Sequence, residues 1–157
     1  MTILQVAAIK EGSIVDGEGV RTVIFVAGCP FACHGCHNQE FQSIRYGKPF
    51  ELEELREEIR KNAKLIDGLT ISGGEPLFQY AALCAFLALI KTDSELQRLN
   101  IWVYTGYNFE QIPESIKQFV DVFIDGKYEA FRPKVQWRGS NNQRLFKKEN
   151  GVFKEVK

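Results

Sequence analysis

Three cysteines, Cys29, Cys33 and Cys36, stand within eight residues in the run GCPFACHGCHN. The fourth, Cys84, is remote, in the apolar stretch QYAALCAFLALI. Three clustered thiols cannot all pair with one distant partner, and the N-terminal residues lack a signal-peptide layout. The spacing C-x3-C-x2-C therefore reads as a metal site and not as a disulfide framework. Thiolates are soft ligands that suit iron–sulfur clusters and zinc. A purely electron-carrying cubane usually takes four cysteines, and this loop offers three. Either His34, His37 or Cys84 supplies the fourth ligand, or one iron is left open to a substrate. The alternative is a structural zinc site. Zinc ligands usually come in two short pairs a dozen or more residues apart, and no second pair is present. Cys84 reads as a small buried hydrophobe.

A second chemical segment is SGGEP, Ser72–Pro76. Gly73 and Gly74 permit close approach of backbone to a ligand, or positive φ. The plainer reading is a strand-to-helix turn with Pro76 opening the next helix.

These segments need elements to position them. Thr22–Ala27 (TVIFVA), Leu65–Ser72 (LIDGLTIS), Ile101–Tyr104 (IWVY) and Val120–Ile124 (VDVFI) are short apolar runs that read as buried strands. Glu51–Lys64 carries Leu52, Leu55, Ile59 and Ala63 at helical spacing, with Glu57 and Lys61 as an i,i+4 pair. Phe78–Lys91 is a helix apolar on nearly all sides, and Phe109–Phe119 a further helix. Alternating strands and helices predict a parallel α/β sheet. The first twenty residues add an edge strand, and a terminal hairpin turns around Asn150–Gly151. Each chemical cluster (the cysteine loop, SGGEP, YTGY and DGKY) follows a strand, and such loops gather on one edge of a parallel sheet.

The chain has 157 residues with neither repeat nor linker, which predicts a single domain, 1–157. It is 45% hydrophobic and 25% charged, which excludes disorder. Lys plus Arg and Asp plus Glu are each 20, so a broad nucleic-acid surface is not expected. The longest apolar run, Tyr80–Ile90, has eleven residues and is too short to span a bilayer. A cytoplasmic protein without membrane partners is the expectation.

Cys29-x3-Cys33-x2-Cys36 after one strand and Gly73-Gly74-Glu75-Pro76 after the next resemble the radical S-adenosylmethionine superfamily. Over nearly the whole chain, VDGEGVRTVIFVAGC, IWVYTGY, DGKY and the tail WRGSNNQ (Trp137–Gln143) narrow the resemblance to the activases of anaerobic (class III) ribonucleotide reductases. One departure is Gly35, where many superfamily members carry an aromatic residue. The resemblance implies a partial, open β/α barrel with a mainly parallel sheet. It implies one 4Fe–4S cluster held by Cys29, Cys33 and Cys36, its fourth iron chelated by S-adenosylmethionine. Reduction would cleave that molecule to methionine and a 5′-deoxyadenosyl radical, which takes hydrogen from a glycine of the large reductase subunit. Gly73, Gly74 and Glu75 would receive the methionine amino group, mainly through backbone acceptors. Gly35, Cys36 and His37 would touch the adenosine, and Tyr104, Thr105 and Gly106 would meet the cofactor from the next strand. An electron donor such as a flavodoxin or ferredoxin is implied. Competing readings are a radical enzyme with another target, such as pyruvate formate-lyase or a small molecule, and a non-catalytic zinc module.

Other residues keep two readings. His37 also reads as a solvated loop residue, and Asn38 can fix the loop through backbone hydrogen bonds. Asp16 and Arg21 form an ion pair near the site or lie on the surface. The Lys127–Gln143 region, with Tyr128, Phe131, Arg132, Trp137 and Arg138, suits a docking surface or closes the core.

Overall fold

The computed structural model describes residues 2–31, 33, 35, 36 and 38–157. Its centre is four parallel strands in the order β2 (Arg21–Val26), β4 (Gly68–Gly73), β5 (Asn100–Tyr104) and β6 (Val122–Asp125). These are the four apolar runs expected to form a parallel sheet, with bounds shifted by a few residues. Both of their faces are covered.

Antiparallel strands flank this centre. β1 (Ile3–Ser13) pairs with β2, and β3 (Lys48–Glu51) pairs with β1. On the other side β7 (Arg144–Glu149) pairs with β6, and β8 (Val152–Val156) with β7. The sheet is open, with β3 and β8 as its edges. The N-terminal strand is thus internal and not an edge, because the polar KPFE segment, which has no alternation to betray it, adds outside. The hairpin turn falls where expected. Asn150 and Gly151 have φ of 51° and 78°, the pair of positive values that a two-residue hairpin turn requires.

One face of the sheet carries the helices. Ile24, Val26, Leu69, Ile71, Ile101, Val103 and Phe123 pack against Leu55 and Ile59 of α1 (Leu52–Arg60) and Leu83, Phe86, Leu87 and Ile90 of α2 (Tyr80–Thr92). The outer side of α2 is half-exposed, Cys84 included, although Cys84 still touches the core. The expected helix over Phe109–Phe119 is broken. A 3₁₀ turn at Phe109–Gln111 and the short α3 (Glu114–Lys117) stand on either side of Pro113, which has no N–H to donate and disfavours helical backbone before it. On α1 the i,i+3 ion pairs are Glu57–Arg60 and Glu58–Lys61, in place of Glu57–Lys61. Arg60 also bonds Asp93 and so ties the end of α1 to the end of α2.

The opposite face is smaller. Trp102, Val122, Ile124 and Leu145 pack there with Tyr104 and Trp137. Arg21 is buried on it without an ion pair among the described residues. Its guanidinium lies 5.2 Å from the Trp102 ring and donates to Thr70 Oγ1 and to the carbonyls of Glu18, Leu69 and Asn100. Asp16 bonds Ser13 and faces Lys10. The two residues are therefore neither an ion pair nor both on the surface. Among the described residues no helix is long and apolar enough to cross a membrane.

Candidate active site

The carboxyl ends of the four parallel strands border one cavity of about 360 Å³. At the end of β2, Gly28 has a φ of +93°, and a β-carbon there would lie 2.7 Å from the Phe78 ring. The following loop is closed at its base by backbone. Gly28 N–H donates to Phe41 O at 2.8 Å and Cys29 N–H to Gln42 O at 2.9 Å. This turns Cys29, Cys33 and Cys36 onto the cavity wall, each half-buried.

Burial pushes the Cys29 thiol up to about 11, the Phe31 N–H opposing it and the charge of Glu75 adding to it. Cys33 is raised by burial and by Cys36, while the Tyr128 N–H donates to its sulfur and lowers it. Each of these thiols thus has a backbone donor placed to favour the thiolate, and burial withholds water from it. A metal bound by thiolate supplies the missing positive charge. Soft sulfurs on one wall, within electrostatic reach of one another and supplied with N–H donors, fit an iron–sulfur cluster. Among the described residues no three His, Cys, Asp or Glu side chains converge on a single-ion position. A cubane has no need of that, because it spaces its ligands by its own width.

The β4 end is held against the β2 end. Gly74 N–H donates to Val26 O at 2.9 Å, and Glu75 N–H to Gly28 O at 2.7 Å. A β-carbon at Gly74 would lie 2.4 Å from Gly28 O and 2.8 Å from Phe41 O. Gly73, with φ +112°, would place one 2.4 Å from Val26 N and O. Both glycines are thus required by backbone meeting backbone, a requirement that comes before any room for a ligand.

Glu75 is 1% exposed, and its carboxylate is fully engaged. It accepts from Gly106 N at 2.7 Å, Thr105 Oγ1 at 2.8 Å and Leu77 N at 2.9 Å. Burial raises its carboxyl above the ordinary carboxylate range, against these three donors. Its side chain therefore clamps the β4 and β5 ends together, and any contact it offers a cofactor must come from its backbone. Gly106 is small for a nearby reason, since a β-carbon would lie 2.7 Å from the Phe31 ring.

Nine of the cluster and cofactor residues that the resemblance implied line this cavity: Cys29, Cys33, Cys36, Gly73, Gly74, Glu75, Tyr104, Thr105 and Gly106. Tyr104 donates its hydroxyl to Trp137 O at 2.7 Å. Gly35, with φ +72°, faces Ala130, and a β-carbon there would lie 2.8 Å from the Ala130 methyl. The missing aromatic residue before the third cysteine is thus accounted for by another loop lying against that position. His34 and His37 lie outside the described residues. Asn38 Nδ2 donates to Gly73 O at 3.4 Å, the loop-fixing role anticipated for it.

Asp16 and, from the 127–143 segment, Tyr128, Lys134, Trp137, Arg138 and Gln143 also line the cavity, and the structure adds Lys10. Lys10 sits on β1, and nothing in its neighbourhood of the sequence marks it.

An open α/β sheet with one thiol-lined cavity at its carboxyl edge defines a protein built around a single cluster. Residues 15–146 match the family described as 4Fe-4S single cluster domain. The crystal structure of QueE from Escherichia coli shares the fold, with a TM-score of 0.52 over 77% of this chain and 70% of that one at 13% identity. Among curated relatives, a protein of Enterobacteria phage T4 is 39% identical over 145 residues, 89% of this chain and 92% of its own. One from Pasteurella multocida is 37% identical over 85% of this chain and 91% of its own. One from Escherichia coli K12 is 31% identical over 83% and 90%. All three bear the same name, and the chain belongs to their family, the anaerobic ribonucleoside-triphosphate reductase-activating proteins.

Proposed function

We propose that this protein generates a glycyl radical on an anaerobic ribonucleotide reductase, with S-adenosylmethionine bound beside a 4Fe–4S cluster on Cys29, Cys33 and Cys36. The observation that carries this reading is the placement of three thiols across one cavity from the Gly73–Glu75 and Thr105–Gly106 strand ends. When bound, the cluster, one iron free of protein sulfur, supplies the electron that cleaves S-adenosylmethionine to methionine and the radical that takes hydrogen from the reductase glycine.

The chain's own residues do the positioning. The cysteine loop offers three soft ligands. The Gly73–Gly74 strand end offers backbone carbonyls to an ammonium group, because the Glu75 carboxylate is already committed to Leu77, Thr105 and Gly106. The Phe25 and Phe31 rings line the pocket, with Tyr107 packed edge-on behind Phe31, and keep water from it. A low-potential protein donor, a flavodoxin or ferredoxin, belongs to the same reading.

The test is an anaerobic mixture of reconstituted protein, the large reductase subunit, S-adenosylmethionine and dithionite, read by electron paramagnetic resonance. A glycyl radical signal that requires all four components is expected. Cleavage of S-adenosylmethionine without any radical on the reductase would point to another target.

A further inference from the structure

Residues 127–143 form a loop between β6 and β7 that is far more ordered than a connection requires. Its neck is stitched by side chains. Gln143 donates to Gly126 O and accepts from Gly139 N, Asn142 donates to Lys127 O, and Ser140 accepts from Glu129 N. The WRGSNNQ tail is therefore chiefly the closure of this loop. Within it Trp137 has a φ of 63°, in the left-handed region that a bulky residue avoids. It is held there by the Tyr104 hydroxyl on its carbonyl and by an edge-to-face contact with Trp102, centroids 5.2 Å apart.

The loop has two working faces. Its inner face rests on the cysteine loop. The Tyr128 N–H donates to the Cys33 sulfur, Ala130 meets Gly35, and the Lys127 ammonium lies 4.9 Å from the Phe31 ring centre. Its outer face carries Phe131, 79% exposed, with the Arg132 guanidinium beside its ring and paired with Glu129 of the same loop. Phe131 is the most exposed large apolar side chain among the described residues. Ile14 and Val15 are 73% and 62% exposed, and Val15 lines the cavity together with Trp137 and Lys134. The chain is balanced in charge, yet this loop holds Lys127, Arg132, Lys134 and Arg138 against Glu129 alone.

We propose that the 127–143 loop is the docking element for the reductase polypeptide: an acidic surface of that protein seats on Phe131 and Arg132, and the same stitched body carries the contact to Cys33 and Gly35. The inference rests on the functional reading above and adds the surface, the charge of the partner and a physical link to the cluster ligands. Excess positive charge on the loop selects an acidic partner surface. An exposed aromatic ring with an arginine beside it is the composition of an interface anchor. Groups packed around cluster ligands tune cluster potentials, so a body that packs on the cysteine loop at Gly35 and Phe31 and also meets the partner links the two sites. By reciprocity, any change that docking makes at the cluster is matched by a change that cluster reduction makes in docking.

The experiment uses the reconstituted holoprotein. Reductase affinity, the salt dependence of that affinity, the cluster midpoint potential with and without reductase, and dithionite-driven cleavage of S-adenosylmethionine without reductase are measured for wild type, Phe131→Ser and Arg132→Glu. Both side chains are remote from the thiols in contact terms, so uncoupled cleavage should match wild type. Reductase binding should weaken about tenfold in each variant, the loss expected on removing an interface anchor. Wild-type binding should weaken with salt, and the wild-type midpoint should shift when reductase is added. Unchanged affinity in both variants, or a midpoint indifferent to reductase, would overturn the proposal and leave the functional reading intact. Wild type that fails to cleave S-adenosylmethionine would remove that reading, and this inference with it.

Discussion

The Glu75 carboxylate accepts the backbone N–H of Gly106 at 2.7 Å, across the gap between the ends of β4 and β5. The same carboxylate takes the Thr105 hydroxyl and the Leu77 N–H. One buried group therefore sets the spacing of two loops that border the cavity. Glu75→Ala leaves three donors without their acceptor, at about 1–3 kcal/mol for each that water does not reach. A loss of about 3–5 kcal/mol in denaturant unfolding of the metal-free protein is expected. Glu75→Gln keeps the shape and separates charge from packing. Because burial raises the Glu75 carboxyl, the folded chain holds this proton more tightly than the unfolded one. Its contribution to stability is complete below the ordinary carboxylate value and is lost as pH rises through the folded value. The stability of wild type relative to Glu75→Gln should therefore fall as pH is raised from about 4 toward 7. A difference independent of pH would contradict this.

The thiols differ in place, and that separates the four cysteines. Cys29, Cys33 and Cys36 line the cavity, while Cys84 sits half-buried on α2 beside Tyr80. Alanine at any of the first three should abolish the intact cluster, seen as lost iron and lost absorption near 400 nm after anaerobic reconstitution. Cys84→Ala should leave iron content nearly unchanged. Equal iron loss in all four variants would end the three-thiolate assignment.

Much of this site was legible from the sequence because each of its segments ends a strand that must be buried on both faces. TVIFVA, LTIS, IWVY and VFI carry no charge on either face, so they fall at the sheet centre and their following loops share one edge. Glycines that stop such runs mark backbone approach. The spacing alone did not distinguish a ligand from a neighbouring strand as the thing approached, and at Gly74 it is Gly28 O and Phe41 O. β3 stayed hidden because Lys48–Glu51 is largely exposed and pairs only as an edge. The clamp of Glu75 was equally hidden, since a buried carboxylate and a ligand carboxylate are the same letter. Trp137 and Phe131 were weighed together between core and interface, and the structure divides them, one packed on Trp102 and the other in solvent.

Gly74 follows from that distinction. Room for a ligand would let Gly74→Val keep its iron and lose only cofactor affinity. The geometry gives a different outcome, because a β-carbon would press on Gly28 O, which holds the Glu75 N–H, and on Phe41 O, which closes the base of the cysteine loop. Even Gly74→Ala should cost about 2 kcal/mol as overpacking against unyielding backbone. Iron retention should fall along with S-adenosylmethionine affinity, measured by iron assay and anaerobic calorimetry on one preparation. Full iron with only affinity lost would restore the ligand-space reading.

Arg21 supplies the remaining test, at the far end of the same strands. Its hydrogen bonds reach only neutral acceptors, on Thr70, Glu18, Leu69 and Asn100, and burial lowers the guanidinium to about 10. Thr70 in turn donates to Asp16 O at 2.7 Å, which fixes the segment that carries Asp16 and Val15 to the cavity wall. Lysine keeps the charge but cannot span this fork of acceptors. Arg21→Lys should therefore lower stability by about 3 kcal/mol through unmet carbonyls and a poorly solvated ammonium. Thr70→Val removes the link to Asp16 while leaving the guanidinium in place. It should lose less stability than Arg21→Lys and still reduce glycyl radical yield, because the wall that carries Asp16 and Val15 is no longer held. Thermal unfolding and radical yield on both variants decide it. If yield tracks stability alone across the two, the segment plays no part in receiving the partner, and Arg21 is an element of the core.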